Sequence, residues 1–251
     1  MAAHPRPASD EPRRPNPTAV QRLSAEFVGT FLLTFVAAGA DILDHVTPHG
    51  TIGHAARYVA PALMAMAMIY SLSAISGAHI NPAVTLAFFA RKCFPANRLA
   101  GYWVAQALGA CAAALVLRAI FGAAIDYGVT RPAFTFSAAQ ALAVEALLAF
   151  GLIYTILATS EEAGTVGKNA GLAVAGVIAL SGLAFSPVSG ASMNPARSFG
   201  PALIAGDLHS LWIYLAGPIV GAVAAALVVS LIHGSPTAGE YDGGHGKHQH
   251  A

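Results

Sequence analysis

The sequence predicts an all-α membrane protein: six transmembrane helices and two re-entrant half-helices, arranged as an inverted repeat. Three observations carry this expectation. Of 251 residues, 56 % are hydrophobic and only 10 % are charged, against about 25 % charged in a soluble domain. The chain therefore lacks the polar surface an ordinary cytosolic enzyme needs. Its charge-poor segments have the length of a bilayer crossing, about 20 mostly apolar residues. Finally, Asn-Pro-Ala occurs twice, at Asn81 and Asn194, at matching places in two similar halves.

The elements follow in chain order. Residues 1–21 are rich in Pro and Arg and hold no apolar signal-peptide core, so they read as a disordered cytoplasmic tail. The first span is Leu23–Ile42, interrupted only by Glu26. Tyr58–Ala90 runs 33 residues without a charged side chain, too long for one span and too short for two. It breaks at Ser76-Gly-Ala-His-Ile-Asn-Pro82, giving a full span over Tyr58–Ile75 and a short helix from Asn81. The third span is Leu99–Leu117, and the fourth is Ala138–Thr159, with Glu145 inside it. Asn169–Ala196 repeats the pattern over 28 uncharged residues: a span over Ala170–Phe185, a break through Phe185-Ser-Pro-Val-Ser-Gly-Ala-Ser-Met-Asn-Pro195, and a short helix from Asn194. The sixth span is Leu211–Ile232. Residues 234–251 read as a second cytoplasmic tail. Residues 22–233 form the membrane domain, with repeats over about 22–121 and 137–233.

Each repeat holds three spans, an odd number, so the second half lies upside down relative to the first. Interrupted segments paired in this way point to a solute site at the midplane. Arg91, Lys92, Arg98 and Lys168 fall on the side of the N-terminus, which places both termini in the cytoplasm of a multi-pass cell-membrane protein.

Irregular backbone at membrane depth survives only where it is buried in protein or lines a wet cavity. Asn81 and Asn194 are strong N-caps, and Pro82 and Pro195 stand at the first helical position, where the missing N–H is harmless. With Ala83 and Ala196 they form two helix starts facing each other. An Asn whose oxygen caps its own helix keeps an NH₂ to donate into the pore. Two positive helix ends at one place disfavour cations and protons. Arg197, three residues after Asn194, adds a fixed positive charge, and no acidic residue stands at the breaks to offset it. The expected function is a passive pore for neutral polar molecules.

The segments Ser76-Gly-Ala-His-Ile-Asn-Pro-Ala-Val-Thr85 and Met193-Asn-Pro-Ala-Arg-Ser-Phe-Gly-Pro-Ala202 resemble those of the aquaporin family, the major intrinsic proteins, and the resemblance covers about Arg22–His233. It implies a homotetramer in the lipid bilayer, one pore per protomer, conducting water and in some members glycerol or other small uncharged solutes. It also implies a four-residue filter, which falls on Pro61, Gly182, Ala191 and Arg197. Only Arg197 matches the water-selective pattern; those channels usually carry an aromatic residue at the Pro61 position and His at the Gly182 position. Ser198, Ala202 and Tyr214 lean toward the water branch, while Leu215 departs from it. Plant and bacterial channels for glycerol or uncharged metalloid hydroxides show similar mixtures. Small residues at the filter lead to the expectation of a wide pore that passes glycerol-like molecules, unless a bulky neighbour such as Phe185 fills the gap. The alternatives are a water-only channel narrowed by other residues and an ion-coupled secondary transporter.

Glu26 and Glu145, inside spans, must face protein or cavity. Holding the N–H groups of the irregular loops is preferred over a proton relay, and the family resemblance implies the same role. His79 either lines the pore or serves as a buried hydrogen-bonding group, with pore-lining preferred. Gly217-x-x-x-Gly221 signals close helix packing within the protomer. His45, His49 and His54 share one outer loop and read as passive. His245, His248 and His250 read as a solvated tail rather than a metal site. No nucleophile–base pair, phosphate loop or zinc spacing is present, so neither an enzyme nor a cofactor is expected. A net charge of +1 gives no nucleic-acid signal, and Cys93 and Cys111 form no disulfide framework.

Overall fold

The computed structural model describes residues 16–48, 51–160 and 169–236. The segments 1–15 and 237–251, with the tail histidines His245, His248 and His250, lie outside the described residues, as do His49 and Lys168. Eight α-helices are present among the described residues: α1 (Ala19–Val46), α2 (Gly53–Ser76), α3 (Pro82–Ala90), α4 (Ala96–Phe121), α5 (Ala138–Ser160), α6 (Ala170–Ser189), α7 (Pro195–Ala205) and α8 (Leu211–His233). A 3₁₀ segment, Gly122–Gly128, follows α4 directly. Among the described residues, six helices are long and apolar enough to cross a membrane. The short α3 and α7 are the two half-helices.

The helices overrun the apolar windows read from the sequence. With 28 residues, α1 is roughly 42 Å long at 1.5 Å per residue, longer than a hydrocarbon core of about 30 Å. Hydropathy registers only the part in contact with acyl chains. One correction concerns the N-terminal tail: α1 begins at Ala19, inside the segment expected to be disordered. The Thr18 side chain accepts from the Gln21 N–H and the Gln21 side chain returns a bond to the Thr18 N–H, a capping box that satisfies two helix-end donors.

Packing repeats between the halves. In the first, α1 lies along α4 and against α2; in the second, α5 lies along α8 and against α6. The half-helices cross over: α3 packs on α8 and α7 on α4, while α2 and α6 meet between the halves. Small residues permit the close contacts. A Cβ on Gly109 would stand 2.4 Å from the Phe27 carbonyl oxygen, and one on Gly221 would stand 2.3 Å from the Ala146 carbonyl oxygen. Phe27 and Ala146 directly follow Glu26 and Glu145, so the two contacts are equivalent. Gly217 likewise packs on Glu145, placing the Gly-x-x-x-Gly face against α5 of the same chain.

Candidate pore and filter

Each long helix before a break ends on a left-handed glycine, Gly77 (φ 89°) or Gly190 (φ 84°). The chain then turns through further left-handed residues: Ala78 and Ile80 in the first loop, Ala191 and Met193 in the second. Non-glycine residues in this region carry a cost of order 1–3 kcal/mol each, so something must hold them. Two fully buried carboxylates do so. Glu26 Oε1 accepts from the Ser76 hydroxyl at 2.6 Å and the His79 N–H at 2.9 Å, and its Oε2 accepts from the Ile80 N–H and Gln106 Nε2, both at 2.7 Å. Glu145 Oε1 accepts from the Ser189 hydroxyl at 2.7 Å and the Ser192 N–H at 2.9 Å, and its Oε2 accepts from the Met193 N–H at 2.7 Å. Tyr102 and Tyr214 complete the pair of cradles, donating to the Ser76 and Ser189 carbonyls at 2.8 and 2.6 Å.

Asn81 caps α3 by accepting from the Ala83 N–H at 2.9 Å, and Asn194 caps α7 by accepting from the Ala196 and Arg197 N–H groups at 3.0 and 3.3 Å. Pro82 and Pro195 stand at the first helical positions. Each Asn amide also reaches across: Asn81 Nδ2 donates to the Met193 carbonyl and Asn194 Nδ2 to the Ile80 carbonyl, both at 2.9 Å. The expectation of a wholly free NH₂ is corrected here. One hydrogen of each amide ties the two loops together, and one remains for a solute.

A single cavity of about 80 Å³ is lined by Asn81 and Asn194 together with Pro61, Gly182, Ala191 and Arg197. Its other walls are mainly apolar, with Leu33, Ile69, Val84, Val174 and Ile178 among them. Three further residues on its wall were not singled out from the sequence: Asp41, Arg57 and Tyr58. They alter both the charge and the shape of the end that holds Arg197.

The charge of Arg197 does not stand alone. Its Nη1 donates to the Thr130 hydroxyl, and its Nη2 donates to Asp41 Oδ2 at 2.7 Å. The other oxygen of Asp41 accepts from Arg57 Nε at 3.1 Å and Nη2 at 2.9 Å, while Arg57 Nη1 donates to Asp44 Oδ2 at 2.9 Å. The expectation of an unopposed positive charge is thereby corrected: Asp41, near the C-terminal end of α1, offsets it. As for shape, a Cβ on Gly182 would lie 2.5–2.7 Å from the Tyr58 Cβ, Cγ and Cδ1. Tyr58, one turn before Pro61, fills the volume that Gly182 leaves. Phe185, the expected filler, is 46 % exposed and is not on the cavity wall.

Residues 15–229 match the family described as Major intrinsic protein. The chain belongs to this family. Aquaporin NIP1-1 of Zea mays is 42 % identical over 214 residues, 85 % of this chain and 75 % of that protein. Aquaporin NIP6-1 of Arabidopsis thaliana is 38 % identical over 220 residues, 87 % of this chain and 70 % of that protein. The X-ray structure of the aquaglyceroporin from Plasmodium falciparum superposes with a TM-score of 0.75 over 86 % of this chain and 97 % of the other, at 23 % identity. That likeness is one of fold.

His79 is on the cavity wall, but its imidazole is 4.8 Å from the Phe88 ring, stacked at 5°, with Phe94 and Tyr102 around it and Nδ1 3.2 Å from the Thr85 hydroxyl. The ring is built into the protein interior. His54 Nε2 lies 3.2 Å from the Leu183 carbonyl, a group freed from helical bonding because Pro187, four residues on, has no N–H. His45 stacks on Tyr127 at 4.3 Å. In the segments flanking α7, Arg131 links Asp126 and Asp207, and its guanidinium, followed by the His209 N–H, holds the Asp207 carboxyl below the usual aspartate range.

Proposed function

We propose that this protein is a passive transmembrane channel for water and small neutral solutes, glycerol-sized molecules included, with Asn81, Asn194 and Arg197 as its pore donors. One observation carries this reading: two helix N-termini, capped by Asn81 and Asn194, meet on the wall of one cavity, each with an amide hydrogen left to give. A neutral hydroxylic solute finds donors there in place of bulk water, whereas a cation faces two positive dipole ends. Ion coupling is disfavoured because the two carboxylates that reach the breaks from neighbouring helices, Glu26 and Glu145, are occupied by loop donors. Pro61, Gly182, Ala191 and Arg197 serve as the outer filter in this reading. Ala191 and Pro61 leave it wide, and Tyr58 is the aromatic ring on its wall.

Both termini face the cytoplasm of the cell membrane and protomers assemble as tetramers in this reading, supported by the Lys/Arg distribution and by family resemblance. The test is stopped-flow light scattering on proteoliposomes, with water, glycerol and urea compared in one preparation. The reading requires protein-dependent water and glycerol flux that never runs uphill under a proton or sodium gradient. Gradient-driven accumulation would establish a transporter instead.

A further inference from the structure

We propose that Asp41 is a specificity-determining residue of this pore: it cancels the charge of Arg197, so the outer constriction rejects ions of both signs by being neutral rather than positive. The inference rests on the pore reading above. Four charged side chains form one chain of contacts, Arg197–Asp41–Arg57–Asp44, with distances of 2.7, 2.9 and 2.9 Å. The two positive and two negative groups sum to zero. Three of the four, Asp41, Arg57 and Arg197, line the cavity.

The four side chains retain only 9–22 % of their exposure, so solvent screens them far less than it would a surface pair. Both Asp41 oxygens are used, one on each arginine, and Arg197 is pinned from two sides, by Asp41 and Thr130. Asp41 therefore does two things at once. It fixes the direction of the guanidinium and removes the field that would draw anions toward it. Arg57 is placed by Asp44 and by the Tyr58 ring, 5.5 Å from its guanidinium carbon, and so holds Asp41 back from acting as an unpaired negative group.

The arrangement makes a prediction about sign that a merely structural role does not. Asp41→Asn leaves a net +1 at the constriction; Arg57→Gln leaves a net −1; the double variant returns to zero. The experiment reconstitutes full-length wild type and the three variants, measures reversal potentials in a potassium chloride gradient across planar bilayers, and follows water flux in proteoliposomes from the same preparations. Wild type is expected to conduct water without protein-dependent current. Asp41→Asn should open a current that favours chloride over potassium and Arg57→Gln one that favours potassium over chloride, each by a permeability ratio of about tenfold, the discrimination that roughly 1.4 kcal/mol of barrier produces, and the double variant should lose both. Should Asp41→Asn fail to fold, the potassium selectivity of Arg57→Gln decides the matter. Water-conducting single variants with no ion current, or with current of the same sign, overturn the role of Asp41 and leave the pore reading standing. A wild type without water flux overturns the pore reading itself.

Discussion

Tyr58 and Gly182 share one volume: the Cβ that Gly182 lacks would stand 2.5 Å from the Tyr58 Cβ. A histidine at 182 therefore has no room unless the tyrosine leaves, and the direct way to alter the filter is through Tyr58. Tyr58→Ala is expected to raise glycerol flux on the order of tenfold while water flux persists, read by proteoliposome swelling. Gly182→Ala should instead lower stability by about 1–3 kcal/mol through overpacking. Unchanged glycerol flux in folded Tyr58→Ala would mean that the ring does not limit the pore.

Asn194→Asp keeps the helix cap but loses the amide that bonds the Ile80 carbonyl. A carboxylate oxygen then faces a carbonyl oxygen, which costs about 1–3 kcal/mol for the lost buried bond. The variant should show both a lower thermal midpoint and a sodium or proton leak. Dye-reported leak equal to wild type would place the ion barrier away from Asn194.

Glu26→Gln and Glu145→Gln each replace an acceptor with an NH₂ that must point at a donor, since both oxygens of either carboxylate receive N–H or O–H groups. Each is expected to destabilise by several kcal/mol, because a buried polar group is left opposed rather than merely unpaired. Differential scanning fluorimetry in detergent should rank both well below surface variants. A wild-type midpoint for either would disprove the cradle as the support of the left-handed loop.

Two glycines separate packing from propensity. Gly221→Ala sets a Cβ 2.3 Å from the Ala146 carbonyl oxygen and must push α8 off α5, whereas a Cβ on Gly151 of α5 meets nothing within 4 Å. Gly221→Ala should lose about 1–3 kcal/mol, while Gly151→Ala should gain or hold, since Ala is favoured over Gly in a helix by about 1 kcal/mol. Equal midpoints would contradict the close α5–α8 contact.

Arg131 and the His209 N–H lower the folded-state value of Asp207. The sign follows by linkage: a depressed value stabilises the fold above the unfolded aspartate value of about 3.9, and this contribution disappears as pH falls through the folded value. The midpoint difference between wild type and Asp207→Asn should therefore be flat from neutral pH down to about pH 5 and shrink below about pH 4. A difference that grows with acid would reverse the assignment.

The two helix starts are legible in the sequence because cap chemistry is local: Asn, then Pro, then an apolar run. The roles of Glu26 and Glu145 follow almost as directly, since a lone carboxylate in an apolar span must find donors and the broken loops are where unsatisfied donors occur. Asp41 is not legible. It sits at the end of the first span, where hydropathy marks only a membrane boundary, and its partner Arg197 is 156 positions away. Tyr58 escapes for a different reason: motif spacing places Pro61 and Gly182 but does not say which neighbour turns its ring into the volume a glycine leaves. The shared use of the Asn amides is hidden likewise, because it depends on two loops whose contact exists only in the fold.

That contact also sets an order of events during synthesis. The carbonyl that Asn81 needs belongs to Met193, 112 positions later. At about 5–20 residues per second, the first loop is made roughly 6–22 s before its counterpart leaves the ribosome. Until then the first loop rests on Glu26 alone, whose donors Ser76, His79, Ile80 and Gln106 all belong to the first half. The first loop can therefore take its shape early, and the tie between the two Asn-Pro-Ala loops is the late event.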